Sequence, residues 1–441
     1  MHKTLITVAG LLAITIARAQ TSSVLTIDDA VALALKGNRQ VQSAALDVDR
    51  AREESAALKT TRLPQFQTYA LGGEALRPIK FNIPQGALGS YAATGPIPAQ
   101  GSSVTTPREF TGFILGQASQ PLSQLWKIHL AVTSFRISED LAKERLRRQR
   151  QETAQSVRDL YYQIAQTQTQ IESALAMEKY LAELQGETDR NLEQQAALKA
   201  DSLAVRARLS QQRYQLVNLR DASKTQKESL NRLLGRDLET EFSIEVQPLP
   251  AAEETDVAAA HNMALRQRPE IQEARLQTKK AETEVRRQRA EYIPDISANF
   301  TYSSLPNVSF APQNFMTAGF LLQWQPFDWG LKRHKTQALR DATKQATLAE
   351  RDTEQQMLLD VNTRFRALAE ARMLLDTSAL AQEAEREKLR VTADRYREKA
   401  VLLSDVLQQQ GAVVQADSGF QTALAGFWKA KASFDRALGR E

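Results

Sequence analysis

Over two long stretches of the chain, apolar residues return every three or four positions. Val157, Tyr161, Ile164, Gln168, Ile171 and Leu175 step by 4, 3, 4, 3 and 4. Val205, Leu209, Gln212, Leu216, Leu219, Ser223, Gln226, Leu230 and Leu233 keep the same alternation. That spacing lays one stripe along a helix, and its polar members make a leaky coiled-coil seam. Proline placement agrees, because residues 122–247 and 327–441 contain none of the 14 prolines. Both stretches are rich in Ala, Leu, Gln, Glu, Lys and Arg, all good helix formers. The pattern predicts helices over 28–60, 123–235, 256–291 and 328–439. A run from Ser123 to Gln195 would be on the order of 110 Å long at 1.5 Å per residue, more than any single globule needs.

Between these stretches the period becomes two. Ile296, Ala298, Phe300 and Tyr302 alternate with Ser297, Asn299, Thr301 and Ser303. Met316, Ala318, Phe320, Leu322 and Trp324 alternate with Thr317, Gly319, Leu321, Gln323 and Gln325. A strand with this pattern carries an apolar, aromatic face opposite a small, mostly polar one. Strands are expected at about 66–74, 109–121, 295–304 and 315–326, the first two alternating less cleanly. Residues 75–108, with five Pro and four Gly, read as a surface loop.

The second half repeats the first. At an offset of 204, Val157, Tyr161, Ile164 and Ile171 meet Val361, Phe365, Leu368 and Leu375, and Asp201 and Leu203 meet Asp405 and Leu407. Leu234-Gly235-Arg236 meets Leu438-Gly439-Arg440. Near the start of each half the offset is 230, so that Ile27, Ala30, Leu35, Val41 and Pro64 meet Val257, Ala260, Leu265, Ile271 and Pro294. Gln120-Pro121 meets Gln325-Pro326 at 205. The organisation expected is therefore an export signal at 1–19, a first repeat at 20–247 and a second at 248–441.

The export signal is read from Lys3, the apolar run Leu5 to Ala17, and Ala17-Arg18-Ala19 as a cleavage pattern before Gln20. No Cys is present, which removes disulfides, thiol nucleophiles and Cys-ligated metals. Four His (2, 129, 261 and 334) leave little for a metal site, and His129 and His334 recur through the duplication. A formal charge of +5 is too small for this length to argue for nucleic acid. The basic run Lys143 to Arg150 reads as a solvated helix face. The sequence holds no Gly-rich phosphate loop, HExxH, GxSxG or paired-carboxylate motif. No enzyme, cofactor or metal is expected.

Residues 66–126 and 292–329 hold 16 of the chain's 28 aromatics and only 7 of its 109 charged residues. A half-buried soluble hairpin would alternate in the same way. The export signal, the scarcity of charge and the aromatics at segment ends (Trp126, Tyr292, Trp324, Phe327, Trp329) favour outer-membrane strands with aromatic girdles. Phe300, Tyr302, Phe320, Leu322 and Trp324 are then the lipid-facing residues. Four strands cannot close a barrel, and an open edge cannot stand in lipid, so the protein should oligomerise. Arg286, Arg287, Arg289, Lys332, Arg333 and Lys335 flank the strands and either meet anionic headgroups or are simply solvated.

Several motifs then resemble the TolC-like outer-membrane efflux proteins. They are Leu25-Thr26-Ile27-Asp28-Asp29-Ala30-Val31-Ala32-Leu33-Ala34-Leu35 with Asn38, and Leu63-Pro64-Gln65. Arg395-Tyr396 before Ser404-Asp405-Val406-Leu407, and the closing Ala437-Leu438-Gly439, complete the set. The resemblance implies a mainly α fold with a membrane β part: a homotrimer with a twelve-stranded barrel continued by an α-helical periplasmic tunnel. It implies an outer-membrane location, a periplasmic adaptor and an inner-membrane transporter as partners, and service as the exit duct of efflux or type I secretion. The alternative weighed is a periplasmic coiled-coil adaptor, which would have one hairpin rather than two repeats that each hold a strand pair.

The resemblance also marks a periplasmic entrance. Asp405 occupies the acidic place of the Asp-Val-Leu motif, with Gln408 where several relatives carry a second acid and Asp201 at the matching place in the first repeat. Tip residues expected to meet an adaptor are Ala197, Leu198, Lys199, Val401, Leu402 and Leu403. The usual tip glycine is replaced by Gln195 and Lys399 in the two repeats. Asp405 has two readings, a ring of carboxylates constricting the pore or a cap on the helix after the turn.

Overall fold

The computed structural model describes residues 24–74, 76–78, 80–105, 110–195, 198–245, 256–305, 312–398 and 400–440. The expected export signal, Ala197 and Lys399 lie outside these residues. From the N-terminus, β1 (Val24–Leu25) leads into α1 (Ile27–Gly37) and α2 (Arg39–Thr60). Then come β2 (Gln65–Glu74), the short β3 (Lys80–Ile83), β4 (Ser90–Tyr91), β5 (Gly95–Pro96) and β6 (Ser102–Thr105), and β7 (Phe110–Pro121). Helices α3 (Gln124–Glu193) and α4 (Lys199–Leu234) complete the first repeat. The second is β8 (Ser243–Ile244), α5 (Val257–Gln267), α6 (Pro269–Ala290), β9 (Asp295–Ser304), β10 (Asn314–Gln323), α7 (Leu331–Arg397) and α8 (Leu403–Ala437). The chain is mostly helical, and among the described residues no helix is long and apolar enough to cross a membrane.

Every long helix expected from the pattern is divided. The span 28–60 breaks at Asn38, which leaves helical geometry at ψ 127° and accepts from the Gln40 backbone N–H at 2.9 Å as the cap of α2. The span 256–291 breaks at Arg268 because Pro269 follows, and the residue before a proline is pushed out of the α region. The spans 123–235 and 328–439 each fold into a hairpin. The loop 75–108 carries structure of its own: β3 pairs with β6 and β4 with β5.

The described chain forms two compact units. The first comprises residues up to Ala45, Arg145–Ile271 and residues from Glu354 onward. Its core joins Val157, Tyr161 and Ile164 of α3 to Ala30 and Ala34 of α1 and Leu230 and Leu234 of α4. The same places in the second repeat, Val361, Ala260, Ala264, Phe434 and Leu438, form a matching cluster. The Val, Ile, Leu and Phe side chains among them each contribute about 1.5–3 kcal/mol on full burial, the alanines less. Tyr161 adds a polar tie. Its hydroxyl lies 2.9 Å from the Leu25 carbonyl and 3.0 Å from the Glu245 carbonyl, and it accepts from the Glu245 N–H at 3.1 Å. That fastens the parallel β1–β8 pair to α3.

Within each hairpin, polar contacts recur at equivalent places. Arg213 of α4 pairs with Glu178 of α3 at 2.9 Å, and Gln382 of α7 donates to Asp417 of α8 at 2.9 Å. The two hairpins meet along α3 and α8, which run antiparallel. Gln151 donates to the Gly439 carbonyl at 2.8 Å, Gln155 to Ser433 at 3.1 Å, Gln166 to Thr422 at 2.9 Å and Gln170 to Ser418 at 3.5 Å. Tyr162 stacks on Trp428 in the same row.

The second unit holds Leu46–Glu144 and Gln272–Thr353. Its centre is an antiparallel sheet in the order β10-β9-β7-β2, so the hairpins of the two repeats join through β7 and β9. Phe66 opposes Ala118 in the first hairpin, and Ile296 opposes Leu322 in the second. The strands therefore repeat at 230 and 204. The offset of 205 read at Gln120-Pro121 corrects to one residue inserted after β10, which ends at Gln323, three residues before Pro326, whereas β7 runs to Pro121.

Candidate channel wall and tip surfaces

Even-numbered residues pair with even-numbered residues in all three strand pairings of the sheet, so they share one face. That face gathers Phe66, Ile114, Ile296, Phe300, Phe320 and Leu322, with Tyr302 beside Met316. Trp324 lies beyond the end of β10 and is exposed. The opposite face is polar along β9, with Ser297, Asn299, Thr301 and Ser303. The expectation of a small, polar face fails elsewhere, because Tyr69, Leu71, Phe113, Leu115, Phe315 and Leu321 share it. Ser303 is packed among them, opposite Leu115 and Phe315, and is almost fully buried. Among the described residues, strands β2 and β10 each pair on one side only.

Polar contacts lock the sheet to the start of α3. Ser123 donates to the Pro294 carbonyl at 2.6 Å and accepts from the Ile296 N–H at 2.8 Å. Lys127, largely buried, pairs with Asp295 at 2.7 Å and Glu291 at 3.5 Å. At the start of α7, Trp329 and Gly330 both take left-handed backbone, with φ 54° and 89°. Asp328 accepts from the Gly330 and Lys332 N–H groups at 3.1 and 2.9 Å, which caps that helix. Of the flanking cations, Arg287 pairs with Glu284 at 2.7 Å, and Lys332 donates to the Gln325 carbonyl at 2.9 Å.

In the first unit the two hairpin turns are built alike. Leu198 and Leu402 precede the second helix of each hairpin. The Asp201 carboxylate accepts from the Leu198 N–H at 3.2 Å, and that of Asp405 from the Leu402 N–H at 3.1 Å. This is the reciprocal half of a capping box, and it sets negative charge at a helix N-terminus. Leu198 and Leu402 hold the N-cap positions themselves, so Asp201 and Asp405 cap from the third helical position rather than from the N-cap place read for Asp405. Leu198, Lys199, Leu402, Asp405 and Gln408 are exposed, while Asp201 and Val401 are half-buried.

Leu403 departs from the tip set expected from the sequence. It is buried against Leu184 and Val205, with Tyr180, Tyr396 and Leu407 around it, and presents no surface to a partner. Gln195 stands at φ 56°, the left-handed geometry that a tip glycine adopts without strain.

Sequence reading missed one polar tie at the first tip. Asp189 of α3 accepts from Ser202 of α4 at 2.6 Å and pairs with Arg206 at 3.2 Å. The Ser202 hydroxyl, followed by Arg206 and Gln185, holds the Asp189 carboxyl below its ordinary pKa. The equivalent place in the second repeat is Ala393, so duplication gave no signal for it. Among the described residues no group of three His, Asp or Glu is arranged to hold a metal.

Residues 260–440 match the family model for the outer membrane efflux protein. No curated protein matches the chain by sequence. Among solved structures, the chain is similar to the CmeC outer membrane channel of Campylobacter jejuni, with 14% identity and a TM-score of 0.76 over 94% of this chain and 85% of that one. It is similar to the outer membrane protein VceC of Vibrio cholerae, with 14% identity and a TM-score of 0.74 over 94% and 96%. The open-state MtrE outer membrane channel of Neisseria gonorrhoeae is also similar, at 15% identity and a TM-score of 0.71 over 94% and 89%. At these identities the likeness is one of fold. The second repeat thus matches the outer membrane efflux protein model, and the chain as a whole has the fold of these outer-membrane channels.

Proposed function

We propose that three copies of the chain close a twelve-stranded barrel in the outer membrane and form the passive exit duct of a tripartite efflux system. The observation that carries this is the four-stranded, charge-poor sheet with an unpaired edge on each side. Exposed N–H and C=O groups at such an edge cannot be left unsatisfied in lipid. Edge β10 of one copy then pairs with edge β2 of the next. The duplication sets the register, because the β7–β9 pair Ala118–Phe300 carries over to Leu322 of one copy and Ala70 of the next. Phe300, Tyr302, Phe320 and Leu322 face lipid on that wall, with Trp324 at its rim.

The helices form the periplasmic part. Exposed Leu198 and Leu402, with Lys199 and Val401, form a repeated tip surface on which a periplasmic adaptor docks, linking the duct to an inner-membrane transporter. Asp405 lines the entrance with Gln408 beside it, and Asp201 stands at the matching place of the first hairpin. Two repeats that each hold a strand pair favour a channel over an adaptor.

The Ala70→Cys/Leu322→Cys variant tests the assembly. The chain has no other cysteine. Oxidation of outer membranes should give a covalent ladder ending at three chains, and the purified protein should conduct in planar bilayers. A detergent-stable monomer that forms no pore would overturn the proposal.

A further inference from the structure

On the helix side, the sheet ends in a rim of aromatic side chains. Trp324 (56%), Phe327 (69%) and Trp329 (89%) follow β10, and all three are exposed. Trp126 (57%) and Tyr292 (50%) stand at the junctions of β7 with α3 and of α6 with β9. Exposed rings at the end of a lipid-facing strand sit at the level of the headgroups. Cations crowd the same rim. Lys332, Arg333 and Lys335 fall within the first five residues of α7. The start of a helix is the end at which positive charge is disfavoured, so α7 itself gains nothing from them.

The protein does not neutralise these cations. Arg333 and Lys335 are exposed and, among the described residues, pair with no carboxylate. Lys332 donates to the Gln325 carbonyl, and its ammonium lies 5.8 Å from the centre of the Tyr292 ring. The nearby carboxylates are engaged elsewhere, Glu291 and Asp295 on Lys127, and Asp328 on the N–H groups of Gly330 and Lys332. Duplication shows what is missing. Lys332 is the repeat equivalent of Lys127, but Thr61 and Gln65 stand at the places of Glu291 and Asp295. One junction is a closed ion pair, and the other keeps the lysine without either acid.

We propose that this rim binds the phosphate of an anionic phospholipid. Lys332, Arg333 and Lys335 hold the headgroup, and Trp324, Phe327 and Trp329 pack along the glycerol and upper acyl chains. The proposal rests on the outer-membrane reading and adds a lipid preference to it. The helices leave this rim toward the periplasm, so the lipid belongs to the inner leaflet. An anionic headgroup supplies the negative charge that Thr61 and Gln65 do not, and basic residues beside a membrane surface attract such lipids.

The test uses the purified full chain in phosphatidylcholine vesicles that contain rising fractions of dibrominated phosphatidylglycerol or dibrominated phosphatidylcholine. Bromine quenches tryptophan fluorescence on contact. Three of the four tryptophans, Trp126, Trp324 and Trp329, stand at this rim, while Trp428 stacks on Tyr162 in the helical unit. Phosphatidylglycerol should quench at the lower fraction. Arg333→Gln should weaken its relative affinity about fivefold, since a cation near an anionic surface is worth about 1 kcal/mol. Lys332→Gln/Arg333→Gln/Lys335→Gln should bring it to the level of phosphatidylcholine, as should about 1 M salt, where screening acts within ~3 Å. Lys199→Gln/Arg220→Gln/Lys224→Gln removes the same charge from exposed positions of α4 and should keep the preference. Arg333 is exposed, so the single variant still reports should the triple variant fail to fold. Equal quenching by the two lipids in the parent chain overturns the inference and leaves the channel standing. So does a preference that survives the rim variants or is lost in the α4 variant. Absence of quenching by either lipid overturns the membrane reading as well.

Discussion

A methyl group added at Gly235 should meet the Gly37 carbonyl oxygen at 2.1 Å, where ordinary contact begins near 3.4 Å. Gly235 also has φ 73°, a conformation an alanine adopts at a cost of about 1–2 kcal/mol. Overpacking of a tight contact adds about 1–3 kcal/mol. The adjoining hydrogen bond from Asn38 to the Leu233 carbonyl, 3.0 Å, must stretch and gives up about 1 kcal/mol more. Gly235→Ala is therefore expected to destabilise the helical unit by about 3–6 kcal/mol, the sum of these contributions. Gly186, inside α3, has nothing within 4 Å of an added methyl. There the same substitution removes a helix-interior glycine and stabilises by about 1 kcal/mol. One chemical change should thus move thermal unfolding in opposite directions, read by far-UV circular dichroism of the detergent-solubilised protein. An unfolding midpoint for Gly235→Ala equal to that of the parent chain would refute the close approach as a locking contact.

Tyr161→Phe should cost about 1–3 kcal/mol, since the Glu245 N–H and the Leu25 and Glu245 carbonyls lose their shared hydroxyl; denaturant titration reads this, and no shift in midpoint would refute it. Asp189 has a lowered carboxyl pKa, so its tie to Ser202 and Arg206 is fully present above the ordinary carboxylate range and is lost as pH falls through the lowered value. Amide exchange around Ser202 should rise on acidification beyond the intrinsic trend, and Asp189→Asn should flatten that rise. Asp405→Asn retains an oxygen that accepts from the Leu402 N–H, so the cap survives. If Asp405 lines the entrance, single-channel recordings of that variant show weaker cation preference and weaker block by multivalent cations; unchanged values leave Asp405 as a cap only.

The helical hairpins and the strand pairs were legible because their periods are long and unbroken. The breaks at Asn38 and Arg268 carried signals too, an N-capping Asn and a Pro at the first helical position, but the apolar stripe runs across both and hides them. Leu403 was placed on the tip surface by its position in the turn. Which side of a helix start faces inward depends on Leu184 and Val205 of another hairpin, which no local pattern records. The Asp189 tie escaped for a different reason, since it joins residues across a turn within one hairpin and exists in one repeat only. The face shared by Leu115, Phe315 and Ser303 could not be read from β9 alone, where the alternation is clean.

In the trimer proposed above, duplication makes the contact inside the chain and the contact between copies equivalent in position, and association energetics set what each requires. The α3 and α8 helices belong to one chain, so bringing them together loses no translational freedom of a separate molecule. Glutamine bonds to Ser433, Thr422 and Ser418, each worth about 0.5–1.5 kcal/mol, suffice to set their register. A second copy must first overcome an association cost of about 4–15 kcal/mol. Polar bonds of that size, exchanged against water, do not meet it. Burial of several apolar side chains, at about 1.5–3 kcal/mol for each one fully buried, is of the size required. The same logic separates the strand pairs. Ala118 opposes Phe300 within the chain, while Leu322 of one copy would oppose Ala70 of the next. There the backbone ladder itself supplies the adhesion, because an edge strand in lipid has no water to bond instead, and the side chains need not change in character.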